Sequence, residues 1–370
     1  MRVLFWTEAD FVGSPAARYF FFEMYKYLTE RGLKISLNAL NQPEYDIAII
    51  HWAEKEVIQR ILKHSPSAHI GILNPGFIGF PRKYVSDPRF RSASFVEQIV
   101  NNVDFFMITT FMWREMLLPY QRRIFRIFAY ENPDDKLVIQ HTDTKGLIIG
   151  YHGNHLHYAK DFFPHGAKAL ERLAGEYDFT FKIITKNVHA QPRIDGVKTH
   201  FVEFDLTTFH EHIKTFDIGI CPAFSRMEQL DDPMVNIRDA NRIITLLFYG
   251  IPSVASPTPQ ACQDLKHEET VLFAVSEEGW YEGLKRLISK PDLRNRIGHA
   301  GREVAVKEFS RTAAVDSYIK ILNQEIQAPL FAKQGFRASP FEKPFHFIQM
   351  LPYHLRNFTQ ARLSTIRKKW

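Results

Sequence analysis

The sequence predicts an α/β protein built from two doubly wound units in tandem, each a parallel sheet covered by helices on both faces, with a cleft between them. Two observations carry this. Short β-branched, apolar runs such as "YDIAIIH" and "VDFFMITT" alternate with helix-length amphipathic segments, the pattern of strands buried on both sides. The same rhythm then restarts at "GLIIGYHGN" (146–154), after "ENPDDK" and "TDTKG", which read as a polar linker.

In chain order, "RVLFWTE" (2–8) is a strand and "ADFVGSP" a loop. "AARYFFFEMYKYLTERG" follows as a helix closed by Gly32. "LKISLNA" and "YDIAIIHWA" are strands, "EKEVIQRILKHSPSA" a helix and "HIGILNPGF" a further strand. Past Pro81 comes an irregular stretch, then the strand "VDFFMITT" and the helix "FMWREML". The second unit runs from "GLIIGYHGN" through a helix at 161–175, the strand "DFTFKIIT", a helix near 207–216 and the strand "DIGICPA". One helix at 236–249 leads into "IPSVAS", and further helices reach about residue 326. The expected division is therefore 1–145, 146–326 and a tail, 327–370.

The composition is that of a globular chain, with 45% hydrophobic and 24% charged residues, and the 32 phenylalanines read first as core packing. Cys221 and Cys262 cannot make a disulfide framework and suit a reducing compartment. "MRVLFWTEAD" meets charge after a few apolar residues, unlike a signal peptide, and no run approaches the ~20 apolar residues of a membrane span. A cytoplasmic location is the expectation. Residues 328–370 carry eight Lys or Arg against one acid, Glu342, so the first 327 residues sum to about −1 of the net +6. A basic tail on a near-neutral body argues against a nucleic-acid partner. No G-x-G-x-x-G, Walker A or nucleophile-elbow pattern occurs, which turns the reading away from dinucleotide dehydrogenases, P-loop enzymes and α/β-hydrolases.

The motif with the most information is "NIRDANRIITLLFYGIPSVAS": an apolar helix with a cation near its start, stopped by Gly250 and kept from continuing by Pro252 before a strand. Together with the closing segment "EEGWYEGLKRLISKPDLRNRIGHAGREVAVKEFS", it resembles the donor half of GT-B glycosyltransferases, the group 1, retaining type, whose two Rossmann-like domains face a cleft. The resemblance covers 146–325 well and the first half by pattern only. It implies a nucleotide sugar bound as co-substrate by the second half, a glycan, glycolipid or other hydroxyl acceptor bound by the first, and no metal or other cofactor. Arg242 stands where the family usually has Lys and would stabilise the leaving diphosphate by bidentate contacts, aided by backbone N–H groups of the helix start. Asn236, Asn241 and Thr245 would bond sugar or ribose hydroxyls. Many relatives carry two Glu residues here, eight apart; this chain has Ile237 and Thr245 instead, with Glu228, Asp231 and Asp232 nearby in an acidic loop as substitutes.

Other candidates follow the resemblance. Gly153 would let backbone approach the diphosphate and Lys160 would add charge, with Gly150, Asn154 and Lys186 as further contacts. In the first half, Gly13 and Ser14 at a helix start could meet the donor phosphate across the cleft. Asp10, Glu8 and the strand-end His51 are candidate bases, His51 also having a structural reading. His152, His155 and His157 invite a zinc reading, but no accompanying Cys or carboxylate pattern supports one, and no metal is expected.

Two other readings stay open from sequence: a non-catalytic GT-B-like protein that binds glycan or nucleotide, which the missing acidic pair favours, and a sugar-nucleotide epimerase. The tail "KPFHFIQMLPYHLRNFTQARLSTIRKKW" is broadly amphipathic at helical spacing, with Leu355, Phe358, Leu363, Ile366 and Trp370 on one side. It is expected either to pack back on the first domain or to meet an anionic membrane surface through its cations.

Overall fold

A computed structural model of the chain describes residues 1–11, 14–40, 44–120, 123–131, 142, 145–223 and 233–326. The tail and the loop holding Glu228, Asp231 and Asp232 lie outside the described residues, as does Gly13.

Two six-stranded parallel sheets organise the molecule. The first comprises β1 (Arg2–Trp6), β2 (Lys34–Leu37), β3 (Ile47–His51), β4 (His69–Leu73), β5 (Phe105–Ile108) and β6 (Ile124–Arg126), in the order β2-β1-β3-β4-β5-β6. The second comprises β7 (Leu147–His152), β8 (Phe179–Thr185), β9 (Thr199–Glu203), β10 (Ile218–Cys221), β11 (Ser253–Ala255) and β12 (Leu272–Phe273), in the order β12-β11-β10-β7-β8-β9. This is the two-domain α/β arrangement of the GT-B fold. The strands β3, β5 and β10 are buried along their whole length, as expected of strands covered on both faces. Three strands go unread in the sequence, β6, β9 and β12, each an edge strand that is very short or half-exposed, whereas the edge strand β2 is read from "LKISLNA".

Each sheet reverses its strand order once, between β1 and β3 in the first and between β7 and β10 in the second. Loops leaving the carboxyl ends at such a reversal form a crevice. The first is the segment after β1, where Ser14 caps the helix beginning at Pro15 by accepting a hydrogen bond from the Ala17 amide at 3.2 Å. The second is Gly153–Asn154 after β7, where the Asn154 carbonyl accepts from the amides of His157 and Tyr158.

The helix expected at 236–249 is two pieces, Pro233–Asn236 and Asn241–Phe248. Between them Ile237 packs against the first domain's core, and Asp239 accepts from the Asn241 amide where the second piece begins. Gly250 takes a left-handed conformation, φ +68°, and the Gly250 and Ile251 amides return to the carbonyls of Leu247 and Leu246. The closing helix Pro291–Glu308 lies across this end. A Cβ on Gly298 would fall 2.1 Å from the Gly250 carbonyl oxygen, and one on Gly301 2.5 Å from Leu247 Cδ2. The two glycines of "RIGHAGRE" therefore set a close approach that larger residues would prevent, and Arg302 donates to the Phe248 carbonyl.

The helix Arg311–Lys320 returns to the first domain. Its Ala314, Val315 and Tyr318 join Phe5, Phe21 and Met24 in one core, with the rings of Phe5 and Tyr318 6.2 Å apart. The chain's two passages between the sheets run together here. Glu131 pairs with Ser310 as an isolated parallel bridge, its amide donating to the Phe309 carbonyl and its carbonyl accepting from the Arg311 amide, both at 3.1 Å. Among the described residues no helix is long and apolar enough to cross a membrane.

Candidate active site

The carboxyl ends of both sheets open on one cavity of about 1080 Å³, the size class of a small-molecule site. Of the residues proposed from sequence, Ser14, His51, Gly153, Asn154, Lys186, Asn241, Arg242 and Thr245 all line it. Lys160, Asp10 and Glu8 are exposed and do not line it, so the structure does not bring them to the others. Lys160 falls on the outer side of the π-helical turn Tyr158–Phe162, whose Tyr158, Asp161 and Phe162 take the buried positions. Asn236 ends the short helix Pro233–Asn236, and its side chain is outside the described residues. Gly150 serves packing instead of the cleft: a Cβ there would meet the Phe216 ring at 2.0 Å.

Arg242 is held close to the sheet. Its guanidinium donates to the Pro222 carbonyl at 2.6 Å and to the Tyr151 hydroxyl at 3.5 Å. Gly153 makes room for it. With φ +146° this residue adopts a backbone few side chains tolerate, and a Cβ would stand 3.0 Å from Arg242 Cδ. The Thr185 hydroxyl fixes the loop by donating to the Gly153 carbonyl at 2.8 Å. His152 is buried and bonds the Arg242 carbonyl through Nε2 at 3.0 Å. Burial lowers its pKa to about 3, so it is neutral and structural.

Sequence reasoning missed a second cation. Arg238 lines the cavity and donates to Asp161 at 2.7 Å and to the Ala223 carbonyl. The Asp161 carboxylate also meets His157 Nδ1 at 2.5 Å. Burial alone would raise the Asp161 pKa, but the bonds to His157 and Arg238 outweigh it and hold the carboxyl below its ordinary range. The His157 imidazole is thus committed to Asp161, and among the described residues no group of three or more His, Cys, Asp or Glu is placed to hold a metal ion.

The largest omission is Glu131, which the sequence places at the start of a linker. It lines the cavity, with its Oε1 accepting from the Thr245 hydroxyl at 2.7 Å and from the Tyr19 hydroxyl at 3.5 Å. Desolvation raises its pKa to about 7; Glu23 adds to the shift, and the bonds from Thr245 and Tyr19 oppose it. The Thr245 hydroxyl also lies 3.1 Å from the Asn241 carbonyl. It has one proton for two acceptors. When Glu131 is protonated it can donate to Thr245, which then bonds Asn241. Arg18, Glu23 and Arg311 complete the charged lining beside it. A carboxyl from the inter-domain passage thus meets the hydroxyl of Thr245 on the helix Asn241–Phe248.

No protein-family model matches the chain, and no curated protein matches it in sequence. Solved structures do. Sucrose-phosphate synthase from Thermosynechococcus elongatus is similar over 88% of this chain and 98% of its own, with a TM-score of 0.62 at 12% identity. A glycosyltransferase from Rickettsia africae aligns over 86% and 97%, TM-score 0.61, 13% identity. Anabaena HepE in complex with UDP-glucose aligns over 87% and 99%, TM-score 0.59, 11% identity. These likenesses show the fold.

Proposed function

We propose that the chain is a glycosyltransferase that moves a sugar from a nucleoside diphosphate to a hydroxyl acceptor. The observation that carries this reading is the meeting of Arg242, Arg238 and Lys186 in the lining of the shared cavity. Cations are what a diphosphate leaving group needs. The solved neighbour that carries UDP-glucose lends the reading further support. In the reaction the bond from the sugar's anomeric carbon to the diphosphate breaks. A bond to the acceptor oxygen forms, and the acceptor's proton passes to a phosphate oxygen. Retention of anomeric configuration belongs to the proposal, because a leaving phosphate that takes this proton dispenses with a separate base. So does independence of divalent metal, because the Arg242 and Lys186 side chains would offset part of the diphosphate charge.

Glu131 is proposed as the acid that the helix itself lacks, bonding hydroxyls of the donor's ribose or sugar with Thr245 and Asn241. The test is a screen of UDP-, GDP-, ADP- and CDP-sugars for binding, hydrolysis and transfer, with and without chelator, and NMR assignment of the product's anomeric centre. Transfer with retention supports the reading. Failure of every nucleotide sugar to bind at millimolar concentration overturns it. The tail is proposed to contact anionic lipid, which salt-sensitive vesicle binding that is lost on truncation after Phe345 would support.

A further inference from the structure

The carboxyl ends of β3, β4 and β5 form the wall of the cavity opposite Arg242, and nothing in the donor reading uses them. The strands are adjacent and in register: His51 pairs with Leu73, and Leu73 with Met107. Immediately after β3 and β4 the chain turns left-handed twice, at Trp52 (φ +66°) and Asn74 (φ +53°), with their amides donating to the Leu73 and Met107 carbonyls at 3.0 Å each. Asparagine accepts that conformation readily; a tryptophan there is an outlier. The turn holds the Trp52 ring at the cavity, 52% exposed and flanked by the His51 imidazole at 5.0 Å between ring centroids.

Three buried polar atoms on this wall lack a hydrogen-bond partner in the protein: His51 Nε2, Asn74 Oδ1 and Trp113 Nε1. His51 and Trp113 are only 5% and 7% exposed, and burying such groups unpaired is costly unless a ligand satisfies them. The tautomer of His51 follows from its neighbours. Thr7 Oγ1 accepts from the Ala9 amide and lies 3.0 Å from His51 Nδ1; its own proton has a partner when Nδ1 accepts it, and we assign that tautomer. The proton of the neutral ring then sits on Nε2, and the wall offers two donors, one acceptor and an aromatic face. His51, Trp52, Asn74, Thr109 and Trp113 carry no charge at pH 7, since burial lowers the His51 pKa to about 4.

We propose that this wall is a pyranose subsite. The ring of Trp52 stacks on the apolar C–H face of a sugar, His51 Nε2 and Trp113 Nε1 donate to its hydroxyls, and Asn74 Oδ1 accepts from one. Hydroxyls both donate and accept, so they suit a mixed, neutral set of partners, whereas a phosphate or carboxylate would call for cations. Adjacent strands lie about 4.8 Å apart, which spreads the polar atoms over the scale of a sugar ring with its exocyclic groups. The inference rests on the glycosyltransferase reading and deepens it: the acceptor ends in a sugar, not in a lipid phosphate or a simple alcohol.

The experiment uses the full chain and saturation-transfer NMR with methyl hexopyranosides of glucose, galactose, mannose and N-acetylglucosamine and their disaccharides. Glycerol phosphate serves as the ring-free anionic probe, and UDP is measured separately. We expect at least one pyranoside to receive saturation most strongly on one ring face. Trp52→Gly should weaken it tenfold or more without lowering the melting temperature, since glycine relieves the left-handed turn, and should leave UDP binding within twofold. Trp113→Phe, which keeps a ring and removes only the N–H, should weaken it severalfold. UDP binding with no pyranoside bound, equal pyranoside binding by Trp52→Gly, or displacement of the pyranoside by glycerol phosphate overturns the subsite and leaves the donor reading standing. Trp52-dependent pyranoside binding without any nucleotide binding would keep the subsite and remove the donor reading; silence of every probe removes both.

Discussion

Thr245 donates its hydroxyl proton to Glu131 across 2.7 Å, joining the helix after β10 to the passage that links the two sheets. The contact places an ionisable group with a pKa near neutrality at the base of the cavity.

Stability should therefore depend on pH through Glu131. Its folded-state pKa of about 7 stands above the ordinary 4.5. The folded chain thus holds this proton more tightly than the unfolded one. The contribution is fully present below pH 4.5 and is lost as pH rises through 7, an effect on the order of 3 kcal/mol. Glu131→Gln should remove this part of the slope and be the more stable form at pH 8. Urea unfolding of both forms at pH 5 and pH 8 measures it, and parallel slopes would count against a half-buried Glu131 that holds its proton near neutrality.

Arg242→Ala should lower kcat/KM about 10²-fold, the ~3 kcal/mol typical of one charged donor at a developing anion. Circular dichroism and the unfolding midpoint should change little, because the guanidinium is only partly buried. Wild-type turnover in the variant would make Arg242 a structural contact to Pro222 and nothing more.

The two lysines proposed from sequence separate cleanly. Both are exposed, but Lys186 lines the cavity and Lys160 does not. Lys186→Ala should raise the donor KM severalfold, as loss of a point charge near phosphate does, while Lys160→Ala should stay within twofold of wild type. Isothermal titration with the active nucleotide sugar distinguishes them.

Gly298→Ala should be the more damaging of two neighbouring substitutions. Alanine would ordinarily gain about 1 kcal/mol over glycine within a helix. At Gly298 the added Cβ meets a backbone oxygen at 2.1 Å, which cannot move without shifting the Gly250 turn. At Gly301 it meets Leu247 Cδ2 at 2.5 Å, the end of a side chain that can rotate. We expect a loss of about 3 kcal/mol or more for the first and ~1–2 kcal/mol for the second by denaturant unfolding.

What the sequence discloses and what it hides follows from burial. Strands such as β3 and β10 are legible because both faces are covered and every residue is apolar or nearly so; β6, β9 and β12 are not, because they are two to five residues long or only half-covered. The Gly250 turn is legible from glycine and proline alone, but the break at 237–240 depends on Ile237 reaching the other domain's core. Arg242, Gly153 and His51 fall at strand ends or helix starts where a cleft residue is expected. Glu131 opens an acidic, proline-containing run, and its partial burial arises only when Ser310, far along the chain, lies beside it. Trp52 follows His51 in a segment that reads as ordinary strand, since nothing in the letters indicates a positive φ.

The bridge between Glu131 and Ser310 also has a mechanical meaning. Among the described residues the two crossings pair with each other at Glu131 and Ser310, and a swing of one lobe about the other would pivot near that pair and the Arg126–Asp264 bond. Atoms close to a pivot travel little, whereas those at the mouth sweep the widest arc. The Glu131 carboxyl and its Thr245 partner therefore keep their spacing through the swing. Trp52 and Lys186, on opposite lobes, are the pair whose separation reports how far the jaws have shut.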